Sequence, residues 1–375
     1  MGTPERWSGD RPETGSRWRS LLGRGRSRSA QPPPQQPPPA PSPPPHTQQS
    51  PRRNAPPAHY SPPPYQSQPS TGSYNAPAQR ARPSIDERRM PPGPPPAQRS
   101  APPQQPRAAT VDPAVVDLLR RPLSRSKVVA FINPKGGVHK TTATVLTAAA
   151  LGTARGKGII AWDDNELRGT LGLRAGTARH ARTIRHLVEH LPQVEAAGVH
   201  LPEHLDEFLR HSSDGSFDVL AGDEDPKLQR HLDPSTVLRV LDILTRTHEI
   251  ICIDTGNNVE SPNWRTIVSS VDRLVVTTVP REDAAFAADW MLDLLEENGY
   301  SHLVSEAITL LSCPTPNPGP LLNDFSQHFR SRTGGVAVVP YDPALEPGAK
   351  IEFSNLRDST RVAWTNAAAT ILNGL

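Results

Sequence analysis

The stretch "KVVAFINPKGGVHKTT", residues 127–142, most limits what this chain can become. An apolar, β-branched run ends in a loop with paired glycines, and a helix is predicted to open at its far end, over 141–154. A strand–loop–helix unit of this kind directs several backbone N–H groups at one point, where the helix dipole also favours an anion. A phosphate chain fits there. The spacing lets Lys140 reach β- and γ-phosphates, brings the Thr141 hydroxyl to Mg2+, and sets Thr142 near an α-phosphate; Gly136, Gly137, Val138 and His139 supply backbone.

One position departs from that pattern. His139 stands immediately before Lys140, where a glycine is expected. Glycine there permits positive φ and close backbone approach to phosphate. Histidine tolerates positive φ at a cost of ~1–3 kcal/mol and keeps its N–H. A ring turned away from the ligand leaves binding weakened by roughly ten- to a hundredfold, whereas a ring turned inward blocks the β-phosphate position.

A second anchor lies in "EIICIDTGNN", 249–258, an apolar strand ending in Asp254. A carboxylate at the carboxyl edge of a sheet can hold the metal of a bound nucleotide through water. Further strands are predicted at 127–133, 158–163, 216–221, 248–254, 273–279, 306–312 and 335–340. They alternate with helices near 141–154, 183–190, 203–211, 235–246, 284–297, 320–330 and 358–373. Strands that are apolar throughout and alternate with helices imply an α/β fold, a largely parallel sheet with helices on both faces.

Composition divides the chain. Of its 45 prolines, 31 lie in residues 1–126, together with 18 arginines, no lysine and seven acidic residues; residues 127–375 are net acidic by eight charges. Runs such as "QPPPQQPPPAPSPPP" (31–45) cannot bury enough apolar surface to offset the entropy of ordering. The expected organisation is a disordered Pro/Arg-rich arm at 1–110, a linker at 111–126 and one folded domain at 127–375. No secretory leader and no apolar run near 20 residues is present, which excludes a transmembrane span and points to the cytoplasm. Cys252 and Cys313 each sit in an apolar run and read as buried thiols.

With Lys135 before the glycine pair, "KGGVHKTT" resembles the deviant Walker-A loop KGGVGKTT of MinD/ParA-type P-loop ATPases. The resemblance extends over 127–375. "IIAWDDNELRGTLGLR" (159–174) is similar to the family's switch I, "FDVLAGDED" (217–225) to its fourth-strand region, "CIDTGNN" to Walker B with switch II, and "VVPYDPALEPG" (338–348) to its C-terminal strand and loop. Members with a proline-rich N-terminal extension, associated with type VII secretion or partition, match best.

The resemblance implies ATP and Mg2+ as cofactors and a homodimer in the ATP-bound state. Lys135 would cross to the partner's phosphates, Asp163 would lie beside the γ-phosphate, and Asn165 would hold the attacking water, with Asp164 the alternative if the alignment slips. Asp289 is a candidate acidic partner of Lys135, although a surface helix charge explains it as well.

Three functional readings follow. The first is an ATP-switched dimer that positions cargo or organises a cytoplasmic or secretion-linked assembly, with slow hydrolysis as its timer. The second is a pseudo-ATPase adaptor that recruits protein partners through the arm. The third is a DNA-associated partition ATPase, for which only the arm's arginines offer a surface suited to DNA or another polyanion.

Overall fold

A computed structural model describes residues 109–165, 169–177, 182–223 and 232–375, all within one compact unit. All of the arm but its last two residues lies outside them, and with it the expectations of disorder and of partner or DNA binding. Among the described residues, no helix is long and apolar enough to cross a membrane.

Eight strands form one sheet: β1 (Lys127–Ile132), β2 (Ile159–Asp164), β3 (Arg210–His211), β4 (Asp218–Leu220), β5 (Ile250–Thr255), β6 (Arg273–Thr278), β7 (Ile308–Ser312) and β8 (Gly335–Val339). Their order is β3-β4-β2-β5-β1-β6-β7-β8. Every pairing is parallel except the β3–β4 hairpin. β1 shows why its run is apolar without alternation: Val128, Ala130 and Ile132 enter one core, while Val129 and Phe131 enter the other. A strand covered on both faces has no solvent side.

All seven predicted strands are present. The helix predicted over 203–211 is shorter than expected: it spans Leu201–Asp206, and residues 210–211 pair with 218–219 instead. The hairpin turn overrides helix propensity. The Asp214 carboxylate accepts from Ser212 Oγ and from both the backbone and the hydroxyl of Ser216, and Gly215 takes φ 69°.

The segment read as a linker contains helix α1 (Pro113–Arg120). Asp112 caps it by accepting from Ala114 N at 2.9 Å, and Pro113 opens it. Helix α2 (Lys140–Arg155) follows the glycine loop. α1 docks on its end: Arg155 Nη1 donates to the Leu119 carbonyl at 2.6 Å, Arg120 Nε donates to the Ala154 carbonyl at 2.8 Å, and Leu119 is fully buried. Residues 113–120 therefore belong with the folded unit. The final helix, Asp358–Leu372, buries Trp364, Ala368 and Ile371 in the same core, as its weak amphipathicity leads one to expect of a packing helix. Both cysteines are buried thiols, and burial pushes Cys252 up to about 12.

This topology sets the site. Asp163 and Asp254 are register partners on the adjacent strands β2 and β5, and Asp254 is also level with Phe131 of β1. The carboxyl ends of three parallel strands thus bring two carboxylates and the glycine loop to one edge of the sheet, where ligands of open α/β sheets bind.

Candidate functional site

The loop after β1 is held from below. Asn133, buried, donates through Nδ2 to the Thr277 carbonyl of β6 at 2.7 Å, and its Oδ1 accepts from Lys135 N at 2.8 Å, which turns the chain sharply. Val138 is buried against Val279 and Ala284 and anchors the middle of the loop. Gly137 takes φ 75°. His139 takes φ 66°, ψ 27°, and among the described residues is the one non-glycine residue with positive φ. The histidine thus adopts the left-handed backbone a glycine would supply, and its carbonyl accepts from Ala143 N at 2.8 Å to begin α2. Its ring reaches the end of β7, where Nδ1 lies 2.9 Å from Ser312 Oγ. Burial, and then the charge of Arg174, lower the His139 pKa, so the ring is neutral near pH 7.

Lys140 opens α2, nearly buried. Its ammonium donates to the Asn133 carbonyl at 2.8 Å and to Asn257 Oδ1, and lies 3.5 Å from the Lys135 carbonyl. Beside it the Thr141 hydroxyl donates to Asp254 Oδ2 at 2.6 Å. Burial lowers the Lys140 pKa against the pull of Asp254. Burial and the neighbouring Asp163 charge raise that of Asp254. Asp254 Oδ1 is buried without a hydrogen-bond partner among the described residues. A hydroxyl next to a carboxylate with a spare oxygen fits a hard cation such as Mg2+, which keeps most of its ligands as water and phosphate.

Asp163 is buried, and both its oxygens accept from the backbone of the segment that follows it: Oδ1 from Asn165 N at 3.1 Å, Oδ2 from Leu171 N at 3.0 Å. In this structure it holds the main chain at Asn165 and at Leu171. Asn165 lines the cleft, whereas Asp164 is buried at the end of β2 and outside the lining. Of these two residues, Asn165 is the one that lines the cleft.

Lys135 stands outside the cleft lining, with its side chain 43% exposed and Nζ 3.2 Å from Asp283 Oδ2. Asp289 is neither the neighbour of Lys135 nor the surface charge expected from the sequence: it is buried, and its Oδ1 accepts from Arg332 Nη1 at 2.6 Å and His328 Nε2 at 2.9 Å. The helix carrying both acids, Glu282–Glu297, turns Asp283 toward the glycine loop and Asp289 toward the helix Leu321–Arg330.

The loop from Gly136 to Thr142, with Asn165, Asp254 and Asn257, walls a cleft of about 620 Å³. Its far side comes from the ends of β7 and β8 and the loop after them, including Ser312, Cys313, Tyr341, Asp342 and Glu346. The sequence reading missed Arg174, whose Nη2 donates to Thr142 Oγ1 at 3.1 Å. It also missed the contacts of Asn257 and Ser312. All three contacts join residues more than 30 positions apart, and no local spacing announces them.

No protein-family model matches the chain. Over 243 residues it is 28% identical to the ESX-1 secretion-associated protein EspI of Mycobacterium tuberculosis strain H37Rv, and equally to that of strain CDC 1551. The match covers 64% of this chain and 35% of that protein, so the chain spans about a third of the relative's length. Among solved structures, a ParA family ATPase from Chlorobium tepidum TLS superimposes with a TM-score of 0.52 at 16% identity, over 64% of this chain and 99% of that one. The chain has the MinD/ParA-type P-loop ATPase fold. The cell division ATPase MinD of Pyrococcus furiosus gives a TM-score of 0.49 at 18% identity, over 64% and 97% of the two chains. Within the MinD/ParA-type fold, the cleft described above lies at the glycine loop that opens α2 and the carboxyl ends of β2 and β5.

Proposed function

We propose that the chain is an ATP-binding switch whose nucleotide-bound form is a homodimer, with hydrolysis slow enough to act as a timer. The observation that carries this reading is the Thr141–Asp254 hydrogen bond at 2.6 Å beneath a glycine loop that opens a helix. That pair would hold Mg2+, Thr141 directly and Asp254 through water. The ion would supply charge neutralisation between the phosphates. Backbone N–H groups of Gly136 to Lys140 would cradle the β-phosphate, and Lys140 would exchange its carbonyl and Asn257 partners for phosphate oxygens. Asn165 would orient water but cannot take its proton, and Asp163 has both oxygens engaged by backbone. Both features support slow turnover.

His139 is compatible with binding for a reason the sequence alone did not expose. Its backbone holds the positive φ that a glycine would supply, and its ring is turned to Ser312 at the end of β7, so the loop keeps the path a glycine would give it. His139→Gly is therefore expected to change Mg-ATP affinity by less than about tenfold. It should move stability by no more than about 1 kcal/mol, because relief of strain offsets loss of the Ser312 bond. Labelled-ATP titration and thermal unfolding check both, and a hundredfold tightening would mean that the ring obstructs the phosphates.

Lys135, ion-paired in its own subunit with Asp283, has the exposure needed to change partner. Solvent screens an exposed pair of this kind, so the exchange is cheap. In sedimentation with a slowly hydrolysed ATP analogue, the wild-type chain is expected to dimerise, and Lys135→Ala to bind the analogue but remain monomeric. An analogue-dependent dimer of Lys135→Ala would remove the cross-subunit role.

The setting we propose is a secretion-linked assembly, in keeping with the relative's association with ESX-1 secretion, with the Pro/Arg-rich arm as the site of partner binding. A pseudo-ATPase adaptor is the second reading, favoured by His139 in the glycine position and by a Lys140 ammonium already engaged by protein oxygens. DNA or an anionic surface, in either reading, would meet the arm, which holds 15 of the 18 arginines of residues 1–126, rather than the net-acidic domain.

A further inference from the structure

Arg174 ends the short helix Leu171–Arg174, after β2, and its half-buried side chain lies in the cleft wall. Its guanidinium makes two hydrogen bonds, both to neutral oxygens. Nη2 donates to Thr142 Oγ1 at 3.1 Å and Nη1 donates to the Ala349 carbonyl. Among the described residues it has no carboxylate partner. Burial lowers its pKa, which records the cost of holding that charge away from water. A half-buried, unpaired guanidinium in the wall of a cleft is complementary to an anion bound there, and its planar fork matches phosphate oxygens.

The place of that anion follows from Thr142. Lys140 and Thr141 face the β- and γ-phosphate end through Asn257 and Asp254, whereas Thr142, one residue on, faces Arg174. The main chain of Arg174 also fixes the opposite lip of the cleft: its carbonyl accepts from Ile351 N at 2.7 Å, beside the bond to Ala349. We propose that Arg174 contacts the α-phosphate of the bound nucleotide within its own subunit, an inference that rests on the nucleotide-switch reading above. It is then a ligand-specificity residue that favours nucleoside di- and triphosphates alike, unlike a cation at the γ-phosphate, which would favour the triphosphate.

The test is equilibrium titration of labelled ADP and labelled ATP, each with Mg2+, against the full-length wild type, Arg174→Ala and Arg174→Lys, with a thermal melt of each. Arg174→Ala is expected to lose roughly ten- to a hundredfold in affinity for both nucleotides, the scale of one hydrogen bond to a charged group. Arg174→Lys keeps the charge but cannot span Thr142 and Ala349 together, and is expected to recover most of that loss. Three results would overturn the inference: a loss confined to ATP, which puts Arg174 at the γ-phosphate; unchanged affinities in Arg174→Ala; or equal losses in both variants with lowered melting temperatures, which makes Arg174 a clasp of the cleft lips alone. A wild-type chain that binds neither nucleotide overturns the switch reading itself, and this inference with it.

Discussion

Lys140→Ala is expected to lower Mg-ATP affinity at least about a hundredfold while leaving the fold intact. The ammonium is nearly buried at the head of α2, within hydrogen-bonding distance of two protein oxygens that phosphate oxygens can replace. Two hydrogen bonds to charged groups, at about 1.5–3 kcal/mol each, account for a loss of that size. The fold should survive because burial already works against this charge, as its lowered pKa shows, so alanine removes a desolvation penalty along with the contacts. The melting temperature is expected to shift by no more than a few degrees. Labelled-nucleotide titration beside a circular dichroism melt separates the two effects. A variant that melts normally and binds ATP as well as wild type would place the nucleotide elsewhere.

The second large effect is on stability. Arg332, 9% exposed at its side chain, donates to Asp289 Oδ1 at 2.6 Å and to Asp293 Oδ1 at 2.7 Å, with Glu296 at 3.6 Å. It ties the helix Glu282–Glu297 to the end of the helix Leu321–Arg330. Arg332→Ala leaves the buried Asp289 carboxylate without its guanidinium, and breaking a buried pair from one side costs about 3–5 kcal/mol. At ~2–4 °C per kcal/mol for a domain of this size, the melting temperature should fall by about 6–20 °C. Removing the buried acid as well, in Arg332→Met with Asp289→Asn, is expected to cost less than Arg332→Ala alone, since the most deeply buried carboxylate goes with its partner, and the acids that remain, Asp293 and Glu296, are reached by solvent. Urea unfolding of the three chains checks the order, and a double variant less stable than Arg332→Ala would contradict it.

Asp289 also marks where sequence reading stops. A carboxylate on an amphipathic helix reads as a solvated charge. Its burial depends on Arg332 and His328, about 40 residues away, which no local pattern connects to it. Lys140, Thr141 and Asp254 were legible because their positions follow from local chain geometry: a strand end, a glycine turn and a helix start. The parallel sheet was legible for a similar reason, since strands buried on both faces have to be apolar throughout. Helix α1 was hidden by its surroundings. Its Asp112–Pro113 start is a recognisable cap, but it sits at the edge of a segment whose composition argues against any packed structure. Arg174 was hidden differently. It lies in a stretch whose resemblance to switch I drew attention to Asp163 and Asn165, and its partner Thr142 is 32 residues back.

The switch reading depends most directly on whether the full-length chain binds Mg-ATP at the cleft between the glycine loop and the ends of β7 and β8. Equilibrium titration of labelled ATP, with and without Mg2+, against wild type and Lys140→Ala measures this. Saturable binding by wild type, strengthened by Mg2+ and lost in Lys140→Ala, is the result expected from the Thr141–Asp254 pair and the Lys140 ammonium. Absence of saturable binding by the wild-type chain, with Mg2+ present, would contradict it and leave the fold as the scaffold of an adaptor.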